Sequence, residues 1–182
     1  MTATYRSMCN NDIPSALLLC RHNNWNQVAN DWELFLKLSP NNCRVVAEND
    51  KVIGSVTTIS YEQKFSWIGM LLVDPSHQRK GIGKQLLSEA LHILSNEETV
   101  KLDATPAGRE LYKQLGFKDE YQILRMQNIS TVMVNINSTA TSLKKRDLLK
   151  IIAADAIVFG ANREALLQWF LKGANEFSFI IN

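Results

Sequence analysis

The chain has 182 residues, 46% of them hydrophobic, and its 20 Lys and Arg against 18 Asp and Glu leave a net charge of +2. That length suits one well-cored domain with a smaller appendage, and the near-neutral balance, without a basic block or aromatic-interleaved basic stripe, argues against nucleic acid as a partner. The longest apolar runs, such as 68–73 and 151–154, fall far short of the about 20 residues that span a bilayer, so no membrane association is expected.

The opening Met1-Thr2-Ala3-Thr4-Tyr5-Arg6 lacks the basic-then-apolar pattern of a signal peptide, and a cytoplasmic location is expected. Cys9, Cys20 and Cys43 show no CxxC spacing, and the three His add no recognisable metal cluster. The expectation is three reduced, mostly buried thiols and no metal.

In chain order, a strand is expected over 3–8. A helix follows, capped within Asn10-Asn11-Asp12, with Pro14 in its first turn and Ile13, Leu17 and Leu18 on one face. After Asn23-Asn24-Trp25-Asn26 a second amphipathic helix groups Trp32, Phe35 and Leu36, until Ser39-Pro40-Asn41-Asn42 breaks it. The β-branched runs 43–48 and 52–60 meet across Asn49-Asp50, a pair suited to a hairpin. Another strand over 65–73 ends at Asp74-Pro75. From Gly81 onward Ile82, Leu86, Leu87, Ala90, Leu91 and Leu94 recur at helical spacing. A short buried strand over 100–102 comes next, then a helix capped by Thr105, opened by Pro106 and closed by Gly116, with Leu111 and Leu115 toward the core.

Residues 117–126 read as a further strand, and 128–141, rich in Asn, Ser and Thr, as a connector with one embedded strand over 131–134. Two helices and a terminal strand over 177–181 complete the chain. Asp12-Ile13 returns as Asp147-Leu148 and Leu36-Lys37 as Leu171-Lys172 at the same offset, a weak internal repeat. The expected organisation is a first domain over 1–128, a connector over 129–141 and the first elements of a second copy over 142–182. Strands interleaved with helices place the chain in the α/β (α+β) class. The edge of the terminal strand invites a second chain, and a homodimer is the partner it suggests.

The stretch Val73-Asp74-Pro75-Ser76-His77, then Gln78-Arg79-Lys80-Gly81-Ile82-Gly83 and an amphipathic helix, has the makings of an anion cradle. Two glycines let consecutive backbone N–H groups turn inward, and the helix N-terminus adds the positive end of its dipole. Arg79, Lys80 and Lys84 supply positive charge nearby, with ordinary solvated surface as the alternative role for some of it. A plain strand-to-helix turn is the competing reading for an isolated Gly-x-Gly. A Walker loop is ruled out because Gln85 follows Gly83-Lys84 and Gln stands at position 78. A dinucleotide fingerprint fails as well, since Leu86 occupies the place of its third Gly or Ala.

Gln78, Gly81 and Gly83 satisfy Gln/Arg-x-x-Gly-x-Gly/Ala, and with the preceding Leu71-Leu72-Val73-Asp74-Pro75 this stretch resembles motif A of the GNAT superfamily of N-acetyltransferases. Leu111-Tyr112-Lys113-Gln114-Leu115-Gly116-Phe117 resembles its motif B, Leu-Tyr-x-x-x-Gly-Phe. More narrowly, Gly69-Met70-Leu71-Leu72-Val73-Asp74-Pro75 with Leu102-Asp103-Ala104-Thr105-Pro106-Ala107-Gly108 is similar to a bacterial subgroup in which a GNAT domain precedes a second, GNAT-like one. Asp155 and Phe159-Gly160-Ala161-Asn162-Arg163 look like the entrance to that second domain.

The resemblance implies the GNAT fold over the first two-thirds of the chain, a mixed sheet splayed beside motif A, and acetyl-CoA as cosubstrate. It implies cofactor contacts from the backbone of Leu71, Leu72 and Val73, pairing with the pantetheine arm as an added strand, and from Gln78, Arg79, Lys80, Gly81, Ile82, Gly83 and Lys84. Thr105 stands where many relatives carry Asn; it is a cofactor contact in that reading and a helix cap in the simpler one. Tyr112 matches the tyrosine that protonates the departing thiolate, with plain packing beside the cofactor as the alternative.

The strand over 65–73 carries no acid, so Asp103, at the end of the next strand, leads as general base, with a cap or ion-pair role as its alternative; Glu62 and Asp31 follow. Trp25 and Tyr61, in loop-like sequence, and Trp67 would wall the acceptor pocket, with core packing as the more ordinary role of such residues. The expected activity is direct acetyl transfer to a primary amine of a small molecule or peptide, as the cysteines match no motif for a covalent intermediate. The alternative is a non-catalytic acyl-CoA-binding regulatory module.

Overall fold

Asn49 and Asp50 both sit at positive φ, 49° and 61°. That is the backbone a two-residue hairpin turn requires, and it joins strands β2 (Arg44–Glu48) and β3 (Lys51–Tyr61). With β1 (Thr4–Ser7), β4 (Phe65–Val73) and β5 (Val100–Leu102) they make a five-stranded sheet in the order β1-β2-β3-β4-β5. Three pairings are antiparallel, and β4 with β5 is parallel. This is a mixed α/β fold. The computed structural model describes residues 3–124, 126 and 139–181, and they divide between two compact units, Met1–Leu115 and Gly116–Asn182.

In the first unit, α1 (Ile13–His22) and α2 (Ala29–Leu38) pack over the sheet. Trp32, Leu19, Cys20, Cys43, Val45 and Val52 lie at the centre of that core. The buried face of α1 is Ile13, Ala16, Leu19 and Cys20, which corrects the expectation of Ile13, Leu17 and Leu18. Leu17 is only partly buried, and Leu18 is exposed, because the small Ala16 and Cys20, one turn apart, are what the close approach to α2 and the sheet accepts. Asp12 caps the helix entrance by accepting from the Cys9 N–H at 2.9 Å and pairs with Arg6 through two bonds of 2.7 Å.

Helix α3 (Ile82–Ile93) buries Ile82, Leu86, Leu87 and Ala90 as its periodicity predicts. Its approach to β3 is close at Gly54, where a β-carbon would meet Val46 Cγ1 at 2.8 Å and Ile82 Cγ2 at 3.1 Å. β5 is half-buried along its length, a correction to the expected buried strand, because it is the outermost strand of its sheet. Helix α4 (Pro106–Gln114) is capped by Thr105, whose side chain accepts from the Gly108 N–H at 3.2 Å.

The expected strand over 117–126 is absent among the described residues of that range; Tyr121, Ile123 and Leu124 are exposed and form no ladder. Apolar sequence alone made no strand there, since a strand needs a partner to satisfy its backbone. The strand expected over 131–134 and the boundary near Asn128 lie outside the described residues.

The second unit holds β6 (Thr141–Ser142), α5 (Leu148–Phe159), α6 (Glu164–Gly173) and β7 (Phe179–Ile180). Its register reproduces the start of the chain at the offset noted in the sequence. Ser7 pairs with Arg44, and Ser142 with Phe179; the Met8 N–H donates to the Cys43 carbonyl at 2.9 Å, and the Leu143 N–H to that of Ser178 at 2.9 Å. Cys9 and Asp12 likewise correspond to Lys144 and Asp147, joined by the same backbone-to-carboxylate bond. Asp155 and Arg163 form a two-bond ion pair at 2.7 Å, the guanidinium lying over the Phe159 ring.

Among the described residues, no helix is long and apolar enough to cross a membrane, and no three His, Cys, Asp or Glu are grouped to hold a metal ion. All three cysteines are free; Cys20 and Cys43 are buried, whereas Cys9 is exposed.

Candidate active site

The parallel pairing of β4 and β5 runs only from Ser66–Val100 to Ile68–Leu102. β4 continues to Val73 while β5 stops, so from Gly69 onward the two strands part and this edge of β4 is open. On its other side β4 carries a bulge: Ser55 pairs with Leu72 and Thr57 with Gly69, leaving Met70 and Leu71 opposite the single residue Val56. Met70 takes φ 49°, the left-handed conformation usual for the first position of one bulge type but unfavourable for a side chain, by about 1 kcal/mol or more. Strain of this kind gathers where a backbone group must be re-aimed.

A cavity of about 50 Å³ occupies the parting of the strands, lined by Ile68, Gly69, Met70 and Leu71 from β4, Leu102 from β5 and Asp103 just after it, Thr105 at the cap of α4, Tyr112 within α4, and Trp25. The structure therefore brings five of the residues singled out from sequence, Trp25, Leu71, Asp103, Thr105 and Tyr112, to one place. Burial raises the Tyr112 phenol above its ordinary value, so it stays protonated near neutrality. Thr105 serves as the cap of α4 and lines the cavity as well.

Other expected residues lie elsewhere. Tyr61 belongs to β3 rather than to a loop, is buried and packs on Phe65 with ring centroids 5.4 Å apart. Trp67 lies within β4, paired with Ile59 and Lys101. Asp31 accepts from the Val28 N–H at 2.9 Å to cap α2, and Glu62 pairs with Lys64 at 3.0 Å in the β3–β4 turn. None of these four lines the cavity.

At the exit of β4 the Val73 carbonyl accepts from the side-chain amides of Asn23, at 3.3 Å, and Gln78, at 3.2 Å. Asp74 accepts from the Ser76 N–H at 3.0 Å and Oγ at 2.5 Å, and meets His22 at 3.3 Å and His77 at 3.6 Å. These bonds, that from Ser76 foremost, hold its carboxyl at about 2. The loop then turns through Arg79 at φ 62° and Gly81 at φ 84°, and Gly81 is the N-cap of α3 without a side-chain bond. Gly81 thus offers the first-turn N–H groups of α3 no side-chain acceptor, a fit for an anion such as a diphosphate. Arg79, Lys80 and Lys84 are exposed around it, Leu72 and Ile82 are buried behind it, and a β-carbon on Gly83 would touch Val73 and Leu111 at ordinary distances.

The family model for the acetyltransferase (GNAT) domain matches residues 39–119, the span that contains the bulged strand, the glycine loop and Tyr112. Those residues are a GNAT domain. The chain is 27% identical over 158 residues to the holothin acyltransferase of Pseudoalteromonas sp. (strain SANK 73390), covering 87% of this chain and 53% of that one. It is 26% identical over 111 residues to the uncharacterized N-acetyltransferase YitH of Bacillus subtilis (strain 168), covering 60% of this chain and 39% of that one. The chain thus spans about half the length, or less, of these curated relatives. A Pyrococcus horikoshii crystal structure classed as an acetyltransferase superposes with a TM-score of 0.74 and 25% identity, over 94% of this chain and 62% of that one. The GNAT fold expected from motifs A and B is the fold observed.

Sequence reading missed Met70, Gly108 and Ser55. Met70 gives no signal because only the pairing register reveals the bulge. Gly108, one turn before Tyr112, carries a readable one: a glycine in the first turn of a helix at i−4 from a ring.

Proposed function

We propose that the first unit is an acyl-CoA N-acyltransferase that moves the acetyl group of acetyl-CoA directly to a primary amine of a small molecule or peptide. The observation that carries this reading is the bulge at Met70 and Leu71, which opens on the same cavity as Tyr112 and Asp103. The names of the Pseudoalteromonas and Bacillus relatives, an acyltransferase and an N-acetyltransferase, support acyl transfer as the reaction class.

Acetyl-CoA supplies the activated thioester. The glycine loop would hold its diphosphate on the N–H groups of Ile82, Gly83 and Lys84, and the open edge of β4 at Leu71, Leu72 and Val73 would pair with its pantetheine arm. The amine nitrogen attacks the thioester carbon, the C–S bond breaks, and the sulfur takes the Tyr112 proton. The amine's proton passes to Asp103 directly or through water. A backbone N–H of the bulge stabilises the carbonyl oxygen as it gains charge.

Calorimetry with acetyl-CoA tests the first half of the proposal and thiol release against a panel of amines the second. Binding without release for any amine favours the non-catalytic module. Tyr112→Phe is expected to lower turnover while leaving acetyl-CoA affinity nearly unchanged; turnover equal to wild type removes the tyrosine from the mechanism. A cytoplasmic location and a homodimer joined through the edge of β7 belong to the same reading, as does the second unit as a partial GNAT-like segment over 142–182, supported by its repeated register. Sedimentation with and without residues after 141 tests the dimer, and a monomer in both rejects it.

A further inference from the structure

Ser55 lies on β3 with none of its surface exposed, and its hydroxyl donates to the Met70 carbonyl at 2.9 Å. That carbonyl belongs to the bulged peptide between Met70 and Leu71. A bulge takes such a peptide out of the regular ladder, and a buried carbonyl left without a donor costs about 1–3 kcal/mol. The serine hydroxyl gives that carbonyl a donor on the β3 side. A trans peptide is planar, with its C=O and N–H pointing in opposite directions. Fixing the Met70 oxygen on Ser55 therefore turns the Leu71 N–H away from β3. Met70 and Leu71 are also cavity-lining residues.

We infer that Ser55 is a positioning residue: by holding the Met70 carbonyl, it aims the Leu71 N–H at the thioester oxygen. This rests on the functional reading above. Without the serine hydroxyl, the Met70–Leu71 peptide loses its anchor, and the left-handed strain at Met70 favours rotation toward an ordinary strand conformation. The N–H then no longer faces the oxygen that develops charge, which is the geometry on which such stabilisation depends. Ser55 does not itself line the cavity and acts through the Met70 carbonyl, so its effect is on polarisation rather than on affinity.

The test is infrared spectroscopy of acetyl-CoA carrying a 13C-labelled thioester carbonyl, with calorimetry on the same samples. Bound to the wild-type chain, the carbonyl stretch is expected below that of the free thioester. In Ser55→Ala it is expected to return toward the free value while the dissociation constant stays within about threefold of wild type. An unchanged stretch in Ser55→Ala with acetyl-CoA bound overturns the inference alone. Absence of binding to the wild-type chain overturns the functional reading, and this inference with it. Should Ser55→Ala not fold, Ser55→Cys keeps a weaker donor, and its carbonyl stretch is expected between the wild-type and free values; a stretch equal to wild type overturns the inference.

Discussion

The ring of Tyr112 lies against the Cα of Gly108, one helical turn earlier, so closely that a β-carbon on Gly108 would fall 2.8 Å from the tyrosine hydroxyl and 2.9 Å from two ring carbons. Alanine within a helix is ordinarily better than glycine by about 0.5–1 kcal/mol. Here the added methyl must displace the ring that lines the cavity. Gly108→Ala is therefore expected to leave the thermal midpoint unimproved and to cut turnover by about 10-fold or more, since a misplacement of about 1 Å can cost that much and more. Thiol-release kinetics beside melting curves check this; a stabilised variant with full turnover would show that the ring does not depend on the missing side chain.

Gly81 and Gly83 belong to the same motif but are held to it by different physics. Gly81 sits at φ 84° with open space where a side chain would go, so Gly81→Ala meets no atom and pays only in backbone strain, about 1–2 kcal/mol. That strain falls on the turn that presents the first N–H groups of α3. Gly83 has no such φ, and a methyl there would contact Val73 and Leu111 at 3.6 and 3.9 Å, ordinary packing. Acetyl-CoA affinity by calorimetry should fall by about 10-fold in Gly81→Ala, if most of that strain is released when the loop relaxes away from its binding shape, and by less than about 3-fold in Gly83→Ala. The reverse order would contradict the cradle.

Local patterns made most of the first unit legible. Phe65–Val73 and Val100–Leu102 are found where β-branched and apolar runs predicted them, and the start of α3 is set by Gly81. Motif spacing likewise brought Leu71, Thr105 and Tyr112 to one cavity. What stayed hidden depends on pairing across the sheet. The bulge at Met70 needs the β3–β4 register, the Ser55 bond needs the bulge, and the burial of Tyr61 against Phe65 needs the turn between those strands. Residues 117–124 misled for the complementary reason: an apolar run specifies a strand only where a neighbouring strand receives it.

The thiols offer a check on the packing of the first unit. Cys9 is exposed, whereas Cys20 and Cys43 have no exposed surface. Burial raises the Cys20 thiol and pushes that of Cys43 up to about 11. Under native conditions dithiodipyridine should modify Cys9 alone, with Cys20 and Cys43 reacting only on unfolding, because a buried, protonated thiol is a poor nucleophile. Peptide mapping after native labelling decides it. Rapid modification of Cys43 would mean that the packing of α1 and α2 over the sheet is looser than its burial implies.

That thiol exposure in turn measures what Asp74 contributes. Ser76, chiefly, with His22 and His77 holds the carboxyl at about 2, against about 3.9 for an unperturbed Asp. The side chain is 8% exposed, so the difference translates to about 2–3 kcal/mol of stability. Because the native group titrates below the unfolded one, this contribution is present in full above the unfolded value and is lost as pH falls through about 2. Asp74→Asn should therefore lower the stability of the first unit by about 2–3 kcal/mol near neutrality, read from urea-dependent exposure of Cys20 and Cys43. The gap to wild type should narrow as pH falls below about 4, since protonation then removes from the wild-type chain the charge the variant already lacks. A gap constant with pH would assign the loss to the shape of the turn into the glycine loop rather than to the carboxylate charge.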